Sequence, residues 1–250
     1  MDKELKQMLD NSKIDKIYSN SLFSLKSISE DLGIWEGFSN TEKLYLENIT
    51  KRDSNLNKNF QFSGSYDSTL TYGEVTKKGV EVLSEKIEKY RKVTNKDVFV
   101  DIGGGTGKLS MHLGIISNLK TLVSVELIEI RHKYAKHTYE QVSPIDNKSI
   151  FFINKNIKDF DLSIATVIFM NDVCLGKELR DSIYERIPRG CHFIKSIERP
   201  ECKILKEEIL LDTSWKKFLN LKDQALILTR ENKINYLKVN NLSKYYYYIK

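Results

Sequence analysis

From Asp97 onward, short β-branched runs alternate with helical stretches, and this alternation most narrows what the chain can become. Val98-Phe-Val-Asp-Ile is followed by the helical Leu109–Ile116, and Thr121-Leu-Val-Ser-Val-Glu by a helix around Ile130–Gln141. Ile150-Phe-Phe-Ile and Thr166-Val-Ile-Phe-Met are further strands, and a helix around Lys177–Arg186 leads into Cys191-His-Phe-Ile-Lys-Ser. Repeated β–α alternation requires crossover helices over a mostly parallel sheet, so the fold class is α/β and Rossmann-like. Gln224-Ala-Leu-Ile-Leu-Thr-Arg and Asn235-Tyr-Leu-Lys-Val, joined by Glu231-Asn-Lys, read as a hairpin added to one sheet edge. Together these runs predict a seven-stranded sheet. Tyr245-Tyr-Tyr-Tyr is a low-complexity patch, read as an edge strand or a sticky tail.

Upstream, Leu5, Met8, Leu9, Ile14 and Ile17 recur at helical intervals, and Thr41–Ile49 reads as another short helix. Asn55–Tyr72 is rich in Asn, Ser, Gly and Thr and reads as a linker. Val80, Leu83, Ile87 and Tyr90 then mark one helix face, with Thr76 as its cap. The expected division is a small helical region with linker at 1–71 and a catalytic domain at 72–250.

Composition excludes several classes. The 250 residues are 40% hydrophobic with only 3 Pro, enough for a packed core and unlike a disordered or Pro-rich chain. The longest apolar run, Ser163–Met170, is too short to span a bilayer, and Met1-Asp-Lys-Glu-Leu-Lys has no apolar signal region. An intracellular protein with no membrane partner is expected. Cys174, Cys191 and Cys202 form no metal spacing, and His132 and His137 are five apart, so no metal is expected. The net charge of +6 leans toward residues 201–250, which carry 10 basic and 6 acidic groups. A modest basic surface suits a polyanionic partner without identifying one.

The chemistry starts at Val100-Asp-Ile-Gly-Gly-Gly-Thr-Gly-Lys108, between the first strand and the next helix. Gly103, Gly105 and Gly107 let the backbone turn sharply and approach a ligand. A dinucleotide fingerprint needs its third glycine at 108, which is Lys. With Asp101 ahead of the loop, the pattern instead fits a nucleoside ligand lacking a pyrophosphate. Nineteen residues after Gly107, Glu126 ends the second strand, where a carboxylate accepts both hydroxyls of a ribose. Loop plus acid is the class I S-adenosylmethionine (SAM) methyltransferase arrangement; the alternative is a plain tight turn and a surface Glu. After the third strand, Asn156 is placed to bond the adenine amine and Ile157 to cover the ring, although Asp159 or a plain loop fits the stretch as well. After the fourth, Asn171 is placed to orient a substrate amine by accepting its hydrogen bond; a helix cap is its alternative.

These residues, with Tyr72-Gly73-Glu74 upstream, Lys133-Tyr-Ala-Lys, Val167-Ile-Phe-Met-Asn171-Asp-Val-Cys-Leu-Gly176, Ile194-Lys-Ser196 and Tyr236-Leu237, resemble a particular family. The chain is similar to the non-SET histone lysine methyltransferases of the disruptor-of-telomeric-silencing (Dot1-like) family, well over 70–200 and weakly over 201–240. The resemblance implies a SAM-dependent enzyme that methylates a core-domain lysine of histone H3 in the nucleosome, in a nucleus. It implies that Tyr72, Gly73 and Glu74 close over SAM, that Asp101, Gly103, Gly105, Gly107 and Glu126 hold it, and that Asn171 stands near the methyl. Leu175 and Tyr236 would wall the lysine channel. The chain departs from the family at Val75 (often Thr), Lys108 (Gln), and at Asp172, Val173 and Leu175, where the family is richer in Asn and Phe. The family's long basic tail is not visible in these 250 residues, so only weak contact with nucleosomal DNA is implied. The compact, Lys/Asn/Ile-rich chain suits a viral or parasite version acting on a host's chromatin. An RNA or small-molecule methyltransferase on the same fold, or an inactive adaptor, are the rival functions.

Overall fold

The computed structural model describes residues 3–19, 74–173, 175–198, 205–213 and 242–250. In chain order these form α1 (Lys3–Ser19), α2 (Lys77–Tyr90), β1 (Val98–Ile102), α3 (Lys108–Ile116), β2 (Thr121–Glu126), α4 (Glu129–Val142), β3 (Ser149–Asn154), β4 (Val167–Met170), α5 (Lys177–Arg186), β5 (His192–Lys195), β6 (Leu205–Asp212) and β7 (Leu242–Ile249). The strands make one sheet in the order β3-β2-β1-β4-β5-β7-β6. β1 to β5 are parallel, and β7 alone runs against its neighbours. This is the class I SAM methyltransferase sheet, with the reversal of strand order beside β1 that opens a crevice at the carboxyl ends.

The central strands are continuous apolar runs because helices cover both faces. Every residue of β4 and β5 is buried, and so are four of the five in β1. On one face Phe99, Phe169, Ile194 and Tyr247 join Leu83 of α2, Leu113 of α3 and Ile17 of α1. On the other, Val100, Ile102, Ile168, Met170 and Phe193 meet Ile183 of α5. Helix α2 begins as its sequence predicts: the Thr76 hydroxyl accepts from Gly79 N at 3.4 Å. The expected helix at 41–49 and the division near residue 71 lie outside the described residues.

The antiparallel end differs from the sequence expectation. The hairpin strands expected at 224–230 and 235–239 lie outside the described residues, and the described pair is β6 with β7. The tyrosine run is neither an edge nor a tail: it lies inside β7, between β5 and β6. Tyr245 and Tyr247 face the core, while Tyr247 O–H and His192 Nδ1 pair at 2.7 Å. Four identical amphipathic residues hide the two-residue period by which a strand is read, because a tyrosine ring is at home on either face. β6 was missed for a related reason, since Glu207 and Glu208 interrupt it. Yet Glu207 is a tertiary anchor, accepting from Tyr90 O–H at 2.6 Å and from Lys86 at 2.8 Å.

Truncating Tyr247 removes a fully buried ring and its hydrogen bond with His192. Tyr247→Ala is expected to lower the free energy of unfolding by about 3–5 kcal/mol, read from urea denaturation. A loss under about 1 kcal/mol would contradict the interior placement of β7.

Candidate functional site

Because β1, β2 and β4 are parallel and in register, their carboxyl ends reach one rim together. Asp101 of β1 is level with Ser124 of β2 and Phe169 of β4. A cleft opens there, lined by Glu74, Asp101, Gly103 to Thr106, Lys108, Phe169 and Asn171, among others. The structure thus brings together Glu74, Asp101, Gly103, Gly105 and Asn171 from three separate stretches of sequence.

The glycine loop is shaped by its neighbours. Gly103 and Gly104 both donate to Val125 O, at 2.9 and 3.1 Å, pinning the loop to the end of β2. Gly107 has φ +74°, and a Cβ there would meet the Phe152 ring at 2.4 Å. Gly104, which the sequence pattern passed over, is equally constrained: its Cβ would fall 1.9 Å from Ser124 Oγ. The run of three glycines was the available signal.

Glu126 is the tie between loop and strand. Its Oε2 accepts from Gly105 N at 2.8 Å and its Oε1 from Ile128 N at 2.8 Å, with Arg131 Nη1 at 3.9 Å. A carboxylate has about four acceptor positions, so capacity for hydroxyl donors remains after these two bonds.

Asp101 is buried, and among the described residues no cation stands beside it. Burial, and secondarily the charge of Glu126, push its carboxyl up to about 7, against the opposing effect of the Ser110 hydroxyl. Such a group favours any ligand that brings a positive charge into the cleft.

Glu74 lines the cleft beside the glycine loop. It accepts from Thr106 Oγ1 at 2.9 Å and pairs with the buried Lys108 at 3.0 Å. Lys108, a departure from the family pattern, therefore has its counter-charge in the motif upstream of the loop. Sequence distance concealed this pair, which is 34 residues apart.

Asn171 lines the cleft, and its Oδ1 is buried without a hydrogen-bond partner among the described residues. A buried acceptor with nothing to accept from is costly, and a ligand N–H would satisfy it. Beneath it, Tyr245 stacks on Phe169 with ring centroids 5.3 Å apart, and its hydroxyl is likewise buried without a partner. Sequence reading missed Tyr245 because the tyrosine run has no pattern of its own.

Other expected residues sit elsewhere. Asn156 Oδ1 accepts from Lys158 N at 3.0 Å, capping a short 3-10 turn, and Ile157 packs against the second core cluster. Neither is in the cleft lining. Leu175 packs on that same cluster, held by its N–H on Asp172 O at 3.1 Å. Tyr72, Gly73 and Tyr236 lie outside the described residues.

The cleft fits SAM on three observations: a loop whose Gly103, at φ +74°, faces open space, a buried carboxylate with no cation beside it among the described residues, and an orphaned acceptor at Asn171. Among the described residues no cluster of side chains suits a metal ion, and no helix is long and apolar enough to cross a membrane.

The sequence profile of the family described as "Histone methylation protein DOT1" matches residues 45–246. No curated protein matches the sequence. Among solved structures, an RNA methyltransferase from Salinibacter ruber in complex with S-adenosyl-L-homocysteine is 18% identical, with a TM-score of 0.41, over 50% of this chain and 82% of that one. A putative SAM-dependent methyltransferase from Methanococcus maripaludis is 16% identical, with a TM-score of 0.40, over 48% of this chain. A SAM-dependent methyltransferase from Thiobacillus denitrificans in complex with S-adenosyl-L-homocysteine is 12% identical, with a TM-score of 0.40, over 62% of this chain. The chain spans 55% of the length of each of these last two.

The Asp101 carboxyl, near 7 when folded and about 3.9 in an unfolded chain, keeps a proton that unfolding releases between those values. Stability should therefore fall as pH climbs from about 4 to about 7 and stay reduced above it. Asp101→Asn, which removes the charge and keeps the shape, is expected to raise the melting temperature of the ligand-free protein by several degrees at pH 8 and hardly at pH 4. An equal shift at both pH values would contradict the burial of an uncompensated carboxylate.

Proposed function

Because the chain belongs to the DOT1 histone methylation family, we propose that it is a SAM-dependent protein-lysine N-methyltransferase acting on a core-domain lysine of histone H3 in nucleosomes. The observation that carries the reading is the meeting of glycine loop, Asp101, Glu126 and Asn171 at one rim, with a buried acceptor left open at the acceptor end.

SAM supplies an electrophilic methyl group on a sulfonium. In this reading Glu126 takes the ribose hydroxyls while holding Gly105, and Asp101 faces the cationic amino-acid end. Glu74, with Tyr72 and Gly73 before it, covers the cofactor. Asn171 Oδ1 accepts an N–H of the substrate amine and aims its lone pair.

Bound there, SAM would supply its methyl to the lysine nitrogen with cleavage of the carbon–sulfur bond, giving a neutral thioether and an ammonium whose proton would pass to solvent. A free lysine has a pKa of about 10.4, so the amine must lose its proton before attack. Apolar walls such as Phe169 and Leu109, and a nearby sulfonium, disfavour the cation without a dedicated base. Alignment of nitrogen, methyl and sulfur in a water-poor site supplies the remaining acceleration. Histone H3, nucleosomal DNA and a nuclear site of action follow from the family reading. DNA contact through the basic lean of residues 201–250 makes activity fall with salt, with a shallow slope.

Incubation with labelled SAM and nucleosomes, free histones or RNA, followed by mass spectrometry, is expected to place the label on a lysine in the folded core of H3. Label confined to RNA or to unfolded tails would reject the acceptor while leaving SAM binding intact. Glu126→Ala is expected to weaken SAM by roughly ten- to hundredfold in calorimetry; equal affinity would remove Glu126 from the site. Asn171→Ala should depress turnover more than SAM affinity, since its role is at the acceptor.

A further inference from the structure

Asn171 presents a buried, unpartnered Oδ1 to the cleft, so no hydrogen bond to that oxygen fixes its direction. Its aim depends on the backbone to either side, which is β4 before it and Asp172 after it. Asp172 is fully buried and is the most heavily bonded side chain of this rim. Its Oδ1 accepts from Ser196 N at 3.0 Å, Ser196 Oγ at 2.8 Å and Ile197 N at 2.9 Å. The Ser196 hydroxyl in turn accepts from Asp172 N at 2.9 Å. On the other oxygen, the Lys195 ammonium stands 2.9 Å from Oδ2, off the line of a good hydrogen bond, so that contact is ionic. Arg180 Nε lies 4.0 Å away on the same side.

Lys195 is itself only 2% exposed. Two opposite charges are thus taken out of water together at the carboxyl ends of adjacent parallel strands. A buried ion pair is a poor way to gain stability, because apolar residues of the same size do as well. What the pair does supply is direction. It joins the segment leaving β4 to the segment leaving β5, and Leu175 N on Asp172 O extends the hold into the turn before α5.

We propose that Asp172, with Lys195 and Ser196, is a positioning residue for methyl transfer: it acts through Asn171 and sets turnover rather than cofactor affinity. The inference rests on reading the cleft as a methyltransferase site. It gives a role to Asp172, one of the chain's departures from the family pattern, and to Lys195 and Ser196, to which the resemblance assigned none.

The test uses the full-length protein with SAM and nucleosomes. Asp172→Asn alone leaves Lys195 buried without a counter-charge and is expected to lower stability. In the double variant Asp172→Asn/Lys195→Met, the amide oxygen still accepts from Ser196 and Ile197 and no lone charge remains. That variant should melt near the wild-type temperature and bind SAM within about threefold of wild type. Its turnover should fall by roughly ten- to hundredfold, the cost of misplacing a reacting group by about an ångström. Ser196→Ala, which changes no charge, should lower turnover several-fold at unchanged SAM affinity, and Lys195→Arg should retain most of the turnover.

Wild-type turnover in the double variant or in Ser196→Ala would overturn the inference. So would a folded double variant that loses SAM affinity as steeply as turnover, because the network would then serve the whole site. A wild-type protein that transfers no methyl group to any acceptor would sink the functional reading and this inference with it. An active wild type with unaffected variants would sink the inference alone.

Discussion

The rim chemistry depends on β1 being paired on both sides by parallel neighbours. Because β1 is hydrogen-bonded to β2 and to β4 in register, the chain must leave all three strands at the same end of the sheet. The loop after β1 is thereby pressed against the end of β2, where Gly103 and Gly104 bond Val125 O. Glu126 locks that contact by accepting from Gly105. The same pairing puts Asn171, just beyond β4, on the opposite wall of the crevice. No loop residue has to find its partners independently, because the sheet has already placed them.

A second constraint is charge in a dry place. The rim buries Asp101, Lys108, Glu126, Asp172 and Lys195, a concentration that ordinary core packing would avoid. Four of these have defined partners: Lys108 has Glu74, Glu126 has two backbone N–H groups, and Asp172 and Lys195 have each other. Among the described residues Asp101 has the Ser110 hydroxyl at 3.5 Å and no cation, and burial pushes its carboxyl upward. Asp101, with its charge uncompensated, and Asn171 Oδ1, with no hydrogen bond, both line the cleft. Incompletely compensated polar groups gathered at a crevice are what a binding site for a charged, hydrogen-bonding ligand requires.

Elements with a clear local signal were legible in the sequence. The apolar runs of β1, β2, β4 and β5, the Thr76 cap and the glycine loop each declare themselves within a few residues, because strand period, cap chemistry and turn sterics are short-range. Glu126 was legible through its spacing from the loop. The antiparallel end was not. Tyr245 and Tyr247 alternate into the core, but neighbouring tyrosines erase the contrast. The strand at Leu205–Asp212 is recognisable only once Glu207 finds Tyr90 and Lys86, more than 115 residues away.

The sequence by itself determined the α/β class, the direction of the first five strands, and the glycine loop and the acid that meet at the rim, since each follows from local periodicity and glycine geometry. Only the tertiary structure decided which charges meet. Glu74 with Lys108, Asp172 with Lys195, and the seating of Tyr245 on Phe169 all join residues from separate elements. Asn156 shows the same limit from the other side, its amide oxygen capping a turn rather than lining the cleft. Pairing across elements is decided by the register and packing of the sheet, and no short window of sequence contains that information.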